Sequence, residues 1–154
     1  MFIIKTERDL LNAFRPRDRG AFEPPEGVAF PFAVRDYRAW VDPSGVRAFL
    51  VLQDPASRKP LGIAFRRDVA ADDSGSRMCD WCHNFGADVG LLTADRSSRR
   101  RVGVGVCRDL RCADRIEQAA ELAGRSSWMA RQRLLERMVR FAREGLGIDA
   151  VPVD

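Results

Sequence analysis

The chain has 154 residues, 45% of them hydrophobic and 31% charged, enough for one compact domain with its own core or one domain plus a small appendage. It contains no run of about 18 apolar residues, which excludes a transmembrane helix. "MFIIKTERDLLNAF" reaches charge too early for a signal peptide, so a cytoplasmic chain with reduced thiols is expected. The formal charge of +4 is mild, and the 24-to-2 excess of arginine over lysine spreads along the whole chain, so composition alone makes no case for nucleic acid.

In chain order, residues 4–14 read as a helix. Thr6 is placed to cap it, Glu7 and Asp9 occupy its first turn, and Leu10, Leu11 and Phe14 form its apolar face. "RPRDRGAFEPPEG" reads as a loop, because Pro24, Pro25 and Gly27 break regular structure. Residues 1–27 are thus an N-terminal helix and connector, and residues 28–154 the main domain. From Phe30 to Asp68 the pattern is β. Two apolar runs flank the turn Asp42-Pro-Ser-Gly45, with Tyr37, Ala39 and Val41 on one face of the first and a nearly continuous apolar second run, Val46–Leu52. "LGIAFRRD" returns as a third strand, giving an antiparallel meander. "VAADDSGSR" is a polar loop.

"ADVGLLTA" and "RRRVGVGVC" form a second strand pair, joined by "DRSSR". Gly103 and Gly105 leave one face of the second strand open to close approach by another backbone. Helical pattern runs from Asp109 to Ala123 and stops at Gly124. A second helix, capped by Ser126 or Ser127, runs to about Gly145 and places Trp128, Leu135, Met138 and Ala142 on a core face, with Leu134 and Phe141 beside it. The tail "IDAVPVD" reads as either a strand or a mobile end.

All four cysteines fall into two pairs, Cys79-x2-Cys82 and Cys107-x4-Cys112, 24 residues apart. The first pair delivers two sulfurs from one tight turn. In the second, Cys107 closes a strand and Cys112 enters the next helix, whose N-terminal partial charge favours a thiolate. Knuckle, hairpin and a helix bearing the last ligand make a treble clef, spanning roughly residues 78–115, and four thiolates suit a tetrahedral zinc. A redox pair would sit at a helix N-terminus after a strand, whereas here a polar loop precedes Cys79. His83, the only histidine, directly follows Cys82 and reads as a neighbour of the site or a surface residue rather than a ligand. Four thiolates leave the metal no open position, the His-x-Glu of zinc deaminases is absent, and a single histidine leaves most histidine-based triads without alternatives. No catalytic residue and no small-molecule substrate are expected, and the zinc is structural. The fold class is α+β: an antiparallel meander, a treble-clef zinc finger, then C-terminal helices.

"MCDWCHNFG", "VGLLTA" and "RRRVGVGVCRDLRCADRI" together resemble the C-terminal zinc-finger domain of elongation factor G-binding proteins of the fusidic-acid-resistance type. The likeness extends through "FAVRDYRAWVDPSG" and "PLGIAFRR", over most of residues 28–146. It implies a treble-clef domain that binds elongation factor G and promotes its release from the ribosome, with Cys79, Cys82, Cys107 and Cys112 as the metal ligands. In that family a helical bundle precedes the zinc domain; here the helix over 4–14 stands ahead of the β region. The expected contact surface is the zinc lobe, including Phe85 and the hairpin-tip residues Arg99, Arg100 and Arg101. The alternative partner is ribosomal RNA, reached by the seven arginines between 96 and 115. Asp95, Asp109 and Asp114 interrupt that cluster, and no aromatic for base stacking occurs from 86 to 127.

Overall fold

The structure, a computed structural model, describes residues 1–67, 77–86 and 88–148. The loop expected over 69–76 and the tail from 149 lie outside the described residues. The chain forms two compact units, Met1–Arg66 and Arg67–Asp154.

In the first unit a short strand, β1 (Phe2–Ile4), precedes the N-terminal helix α1 (Glu7–Asn12). Thr6 caps α1 as expected, its Oγ1 accepting the Asp9 N–H at 3.1 Å. The expected start of the helix, at residue 4, is displaced because Phe2–Ile4 pairs antiparallel with β2 (Phe32–Val34). The segment read as a loop also contains a helical turn, α2 (Pro16–Arg19). Pro16 at its first position has φ already set for a helix, and the Arg15 guanidinium closes the turn on Asp18 at 2.8 Å.

The meander follows as β3 (Tyr37–Val41), β4 (Arg47–Gln53) and β5 (Pro60–Arg67), all antiparallel neighbours. Its first turn holds through Asp42, whose carboxylate accepts the Arg47 N–H and the Ser44 hydroxyl, with Gly45 at φ +75°. Residues Ala48–Leu52 are all buried, so β4 is covered on both faces. One face meets a core of Phe2, Ile4, Leu10, Phe14, Val34, Phe49 and Val51, against which Phe22 and Trp40 also pack. The boundary expected between residues 27 and 28 therefore falls inside a single hydrophobic core. Trp40 lies opposite the face assigned to Tyr37, Ala39 and Val41; it stacks on Phe49 at 5.7 Å and donates from Nε1 to the Glu23 carbonyl at 2.8 Å. Gly62 is required where β5 passes Phe14, since a Cβ there would sit 2.7 Å from the ring.

The second unit begins with a two-stranded ribbon, β6 (Arg77–Met78) and β7 (Phe85–Gly86), which frames the first cysteine pair. The hairpin β8 (Val89–Asp95) and β9 (Arg101–Cys107) then runs in strict register from Val89↔Cys107 to Asp95↔Arg101. Helix α3 spans Cys112–Leu122, and α4 (Trp128–Arg140) continues into a π-helical turn over Phe141–Gly145. The core face of α4 is Leu134, Met138, Val139 and Ala142. Trp128 does not join it and is 60% exposed, correcting the sequence assignment. Trp128, Met129 and Ala130, the start of α4, are all exposed, and burial on this helix begins only at Leu134. The far end of the unit is tied by Arg96, whose Nη1 donates to the carbonyls of Glu144 and Gly145, both at 2.7 Å.

Candidate metal centre

The four cysteines converge from three elements. Cys79 and Cys82 sit on the tight turn between β6 and β7, Cys107 ends β9, and Cys112 is the first residue of α3. The turn is shaped by its own backbone: Cys79 N–H donates to the Asn84 carbonyl at 2.8 Å, and His83 N–H returns to the Cys79 carbonyl at 2.9 Å. His83 takes φ +62° to allow this. The amides of Trp81 and Cys82 both point at Cys79 Sγ at 3.4 Å, placing two N–H dipoles where thiolate charge accumulates. Asp80 N–H donates to the Gly105 carbonyl at 2.9 Å, tying the knuckle to β9 through its backbone edge. The glycine-bearing face itself is approached by side chains and not by a backbone: a Cβ at Gly103 would meet Leu91, and one at Gly105 only the Asp80 carboxylate at 3.9 Å.

The second turn is built differently. Leu110 N–H closes on the Cys107 carbonyl at 3.0 Å, with Leu110 itself at φ +58° and buried. The Asp109 carboxylate accepts the Arg111 N–H at 3.0 Å and both Arg115 terminal nitrogens at 2.8 and 2.9 Å. The Arg115 guanidinium holds Asp109 below the usual carboxylate range, and Asp109 in turn raises Arg115. The loop after Cys107 is thus locked before α3 starts, which explains why the helix begins at Cys112 rather than at Asp109.

The sulfurs lie within 4.8 Å of one another, with Cys79–Cys112 at 3.7 Å and Cys82–Cys107 at 3.6 Å. Four sulfurs about 2.3 Å from a tetrahedral zinc are separated by about 3.8 Å, so this set fits zinc closely. Disulfides, at about 2.05 Å, are excluded by the same distances. Cys79, Cys107 and Cys112 are fully buried, and Cys82 is half-buried. Such proximity also decides the electrostatics. The Cys107 sulfhydryl holds Cys79 well below the ordinary thiol range, while the same neighbour pushes Cys112 well above it. Four thiolates cannot share this volume without a cation, and a zinc ion bound here supplies the compensating charge and a fourfold cross-link. Four thiolate charges against two on the zinc ion lower the net charge of +4 to +2.

A family model described as the FBP C-terminal treble-clef zinc-finger matches residues 7–144. The chain belongs to this family. No curated protein matches it.

Within the treble clef, the remaining residues singled out from the sequence separate. His83 is exposed and lies outside the sulfur cluster, so the ligand set is cysteine alone. Phe85 stands beside the knuckle and is 66% exposed, paired across the ribbon with the exposed Met78. Arg99, Arg100 and Arg101 are exposed at the opposite end of the β8–β9 hairpin. Arg101 and Cys107 are the two ends of the seven-residue strand β9, about 20 Å apart at a strand's rise, so the fold does not bring the tip and the knuckle together. Sequence reading missed a groove beside the knuckle, lined by His83, Asn84 and residues of α3 and α4. Its visible signal was the spacing of Ile116, Ala119, Ala120 and Ala123, one face of a helix made mostly of alanine.

Proposed function

We propose that this treble clef is a zinc-stabilised protein-interaction module that binds translation elongation factor G in the cytoplasm and modulates its release from the ribosome. The observation that carries the reading is the closed, buried four-sulfur cluster. A zinc ion held by four thiolates keeps no position for water or substrate, so its role is to fix shape, and recognition falls to the surface it shapes. The partner follows from the resemblance of "MCDWCHNFG" and "VGVGVCRDLRC" to elongation factor G-binding proteins. Phe85 is the apolar anchor, a large exposed ring on a rigid turn, and Arg99 and Arg100 give the hairpin tip a cationic end.

The RNA reading is weakened by what the arginines already hold. Arg96 binds backbone carbonyls, Arg101 pairs with Asp95, Arg111 with Asp114 and Arg115 with Asp109. Capture on immobilised elongation factor G, in zinc-containing buffer, tests the proposal. Wild type is retained, Phe85→Ala and the triple Arg99→Ala, Arg100→Ala, Arg101→Ala variant are retained less, and absence of wild-type retention removes the reading. Retention by ribosomal RNA that weakens steeply with salt supports the alternative instead.

A further inference from the structure

The groove beside the knuckle has a composition that the metal centre does not explain. Its floor is the Ile116, Ala119, Ala120 and Ala123 face of α3, with Met129 and Ala130 of α4 opposite. The volume is about 550 Å³, and Ala119, Ala123, Met129 and Ala130 are all exposed, so it is an open trough rather than an enclosed small-molecule pocket. Three guanidinium-bearing residues, Arg115, Arg125 and Arg133, share the lining with His83, and no carboxylate does. Arg115 is committed to Asp109. Arg125 and Arg133 carry no side-chain ion pair among the described residues.

We infer that this trough binds an acidic peptide segment of a protein partner, with apolar side chains seated on the alanine floor and carboxylates on Arg125 and Arg133. Small floor residues let a second backbone approach closely, as in helix-in-groove recognition. Cations at the edge of an apolar floor select for opposite charge and steer its approach. RNA fits less well, because the lining offers no Phe, Tyr or Trp ring on which a base could stack. The walls are preformed: α3 and α4 are joined by the Glu117–Arg131 ion pair at 2.9 Å, and the knuckle end is fixed by the sulfur cluster. Phe85 and the arginine tip are not among the residues lining this site, and the inference holds whether or not elongation factor G is the partner.

The test uses the zinc-loaded full chain and a fluorescein-labelled helical peptide carrying leucine on one face and glutamate on the other, read by fluorescence anisotropy. Wild type binds, and Arg125→Glu with Arg133→Glu weakens binding by about tenfold or more, the scale of two reversed edge charges. Ala120→Arg, which fills the floor while adding positive charge, abolishes binding. A peptide with serine in place of leucine binds weakly to wild type. Equal binding of the serine peptide, or of the Ala120→Arg variant, would reduce the effect to general attraction by a cationic protein and overturn the proposal. Displacement of the peptide by a single-stranded RNA at lower concentration than by unlabelled peptide would overturn it too. Circular dichroism and zinc content of each variant separate a lost groove from a lost fold.

Discussion

Cys107→Ser is the perturbation that most directly tests the role of the metal. Cys107 is fully buried, ends β9, and lies 3.6 Å from Cys82 Sγ, while its carbonyl accepts the Leu110 N–H that starts the turn into α3. Structural zinc contributes on the order of 10–16 kcal/mol in small zinc peptides, so one of four equivalent sulfurs accounts for roughly 3 kcal/mol, or on the order of 100-fold in zinc affinity. Little else holds the knuckle: the ribbon that frames it has two residues in each strand. Cys107→Ser is therefore expected to unfold the knuckle and the turn after Cys107 locally rather than to lower an activity. Hydrogen exchange followed by mass spectrometry reads this residue by residue. The amides of Trp81, Cys82, His83 and Leu110, all bonded to ligand atoms or their carbonyls, lose protection in the variant and after chelation. Amides of β4, paired on both sides by β3 and β5 in the other unit, keep theirs. Native protection of those four amides in a chelated wild-type chain would refute the reasoning, because it would show that packing alone maintains the site.

Two further outcomes follow from the first unit. Gly62→Ala places a methyl group 2.7 Å from the Phe14 ring, which is buried and edge-on to Phe49 at 5.8 Å; urea denaturation should show a loss of about 1–3 kcal/mol, and an unchanged midpoint would mean the ring is free to move. Asp42 titrates below the usual carboxylate range: burial pushes it up, but the Arg47 amide, the Ser44 hydroxyl and the Gly45 and Val46 amides together outweigh that. Its folded pKa is lower than its unfolded one, so its ionised form stabilises the fold above about pH 4 and that contribution disappears as pH falls through the folded value. The stability difference between wild type and Asp42→Asn should thus be constant near neutrality and shrink in acid; a difference that persists unchanged at about pH 2 would place the effect in side-chain packing instead.

What the sequence disclosed depends on how local its causes are. The metal ligands were legible because a knuckle needs two cysteines three apart on one turn, and because a strand end and a helix start set the second pair. The meander was legible for a similar reason: Asp42 and Gly45 make their turn from within four residues, and β4 is apolar on both faces whatever packs on it. Trp40 was not placed from the sequence because its cover, Phe22 and Glu23, comes from a loop without periodicity. β1 was missed because three residues cannot show a period of two, and its partner lies thirty residues away.

Trp128 shows the converse limit, and it bears on function. Helical spacing placed it with Leu135, Met138 and Ala142, but periodicity fixes only the direction in which a side chain points. It does not fix how far along the helix a covering element reaches. In α4 cover ends before the first turn, leaving Trp128 60% and Met129 59% exposed, while Leu122 at the end of α3 is 92% exposed. These apolar side chains lie around the turn that closes one end of the alanine-floored groove. The same turn supplies Arg125 to its edge. A helical hairpin whose core stops short of its own corner, and whose corner keeps large apolar residues beside Arg125, which carries no side-chain ion pair among the described residues, leaves an apolar and cationic surface exposed. Burial by a partner is the physical role that such a surface can fill, and a zinc ion holding the neighbouring knuckle rigid lowers the entropy that binding there must overcome.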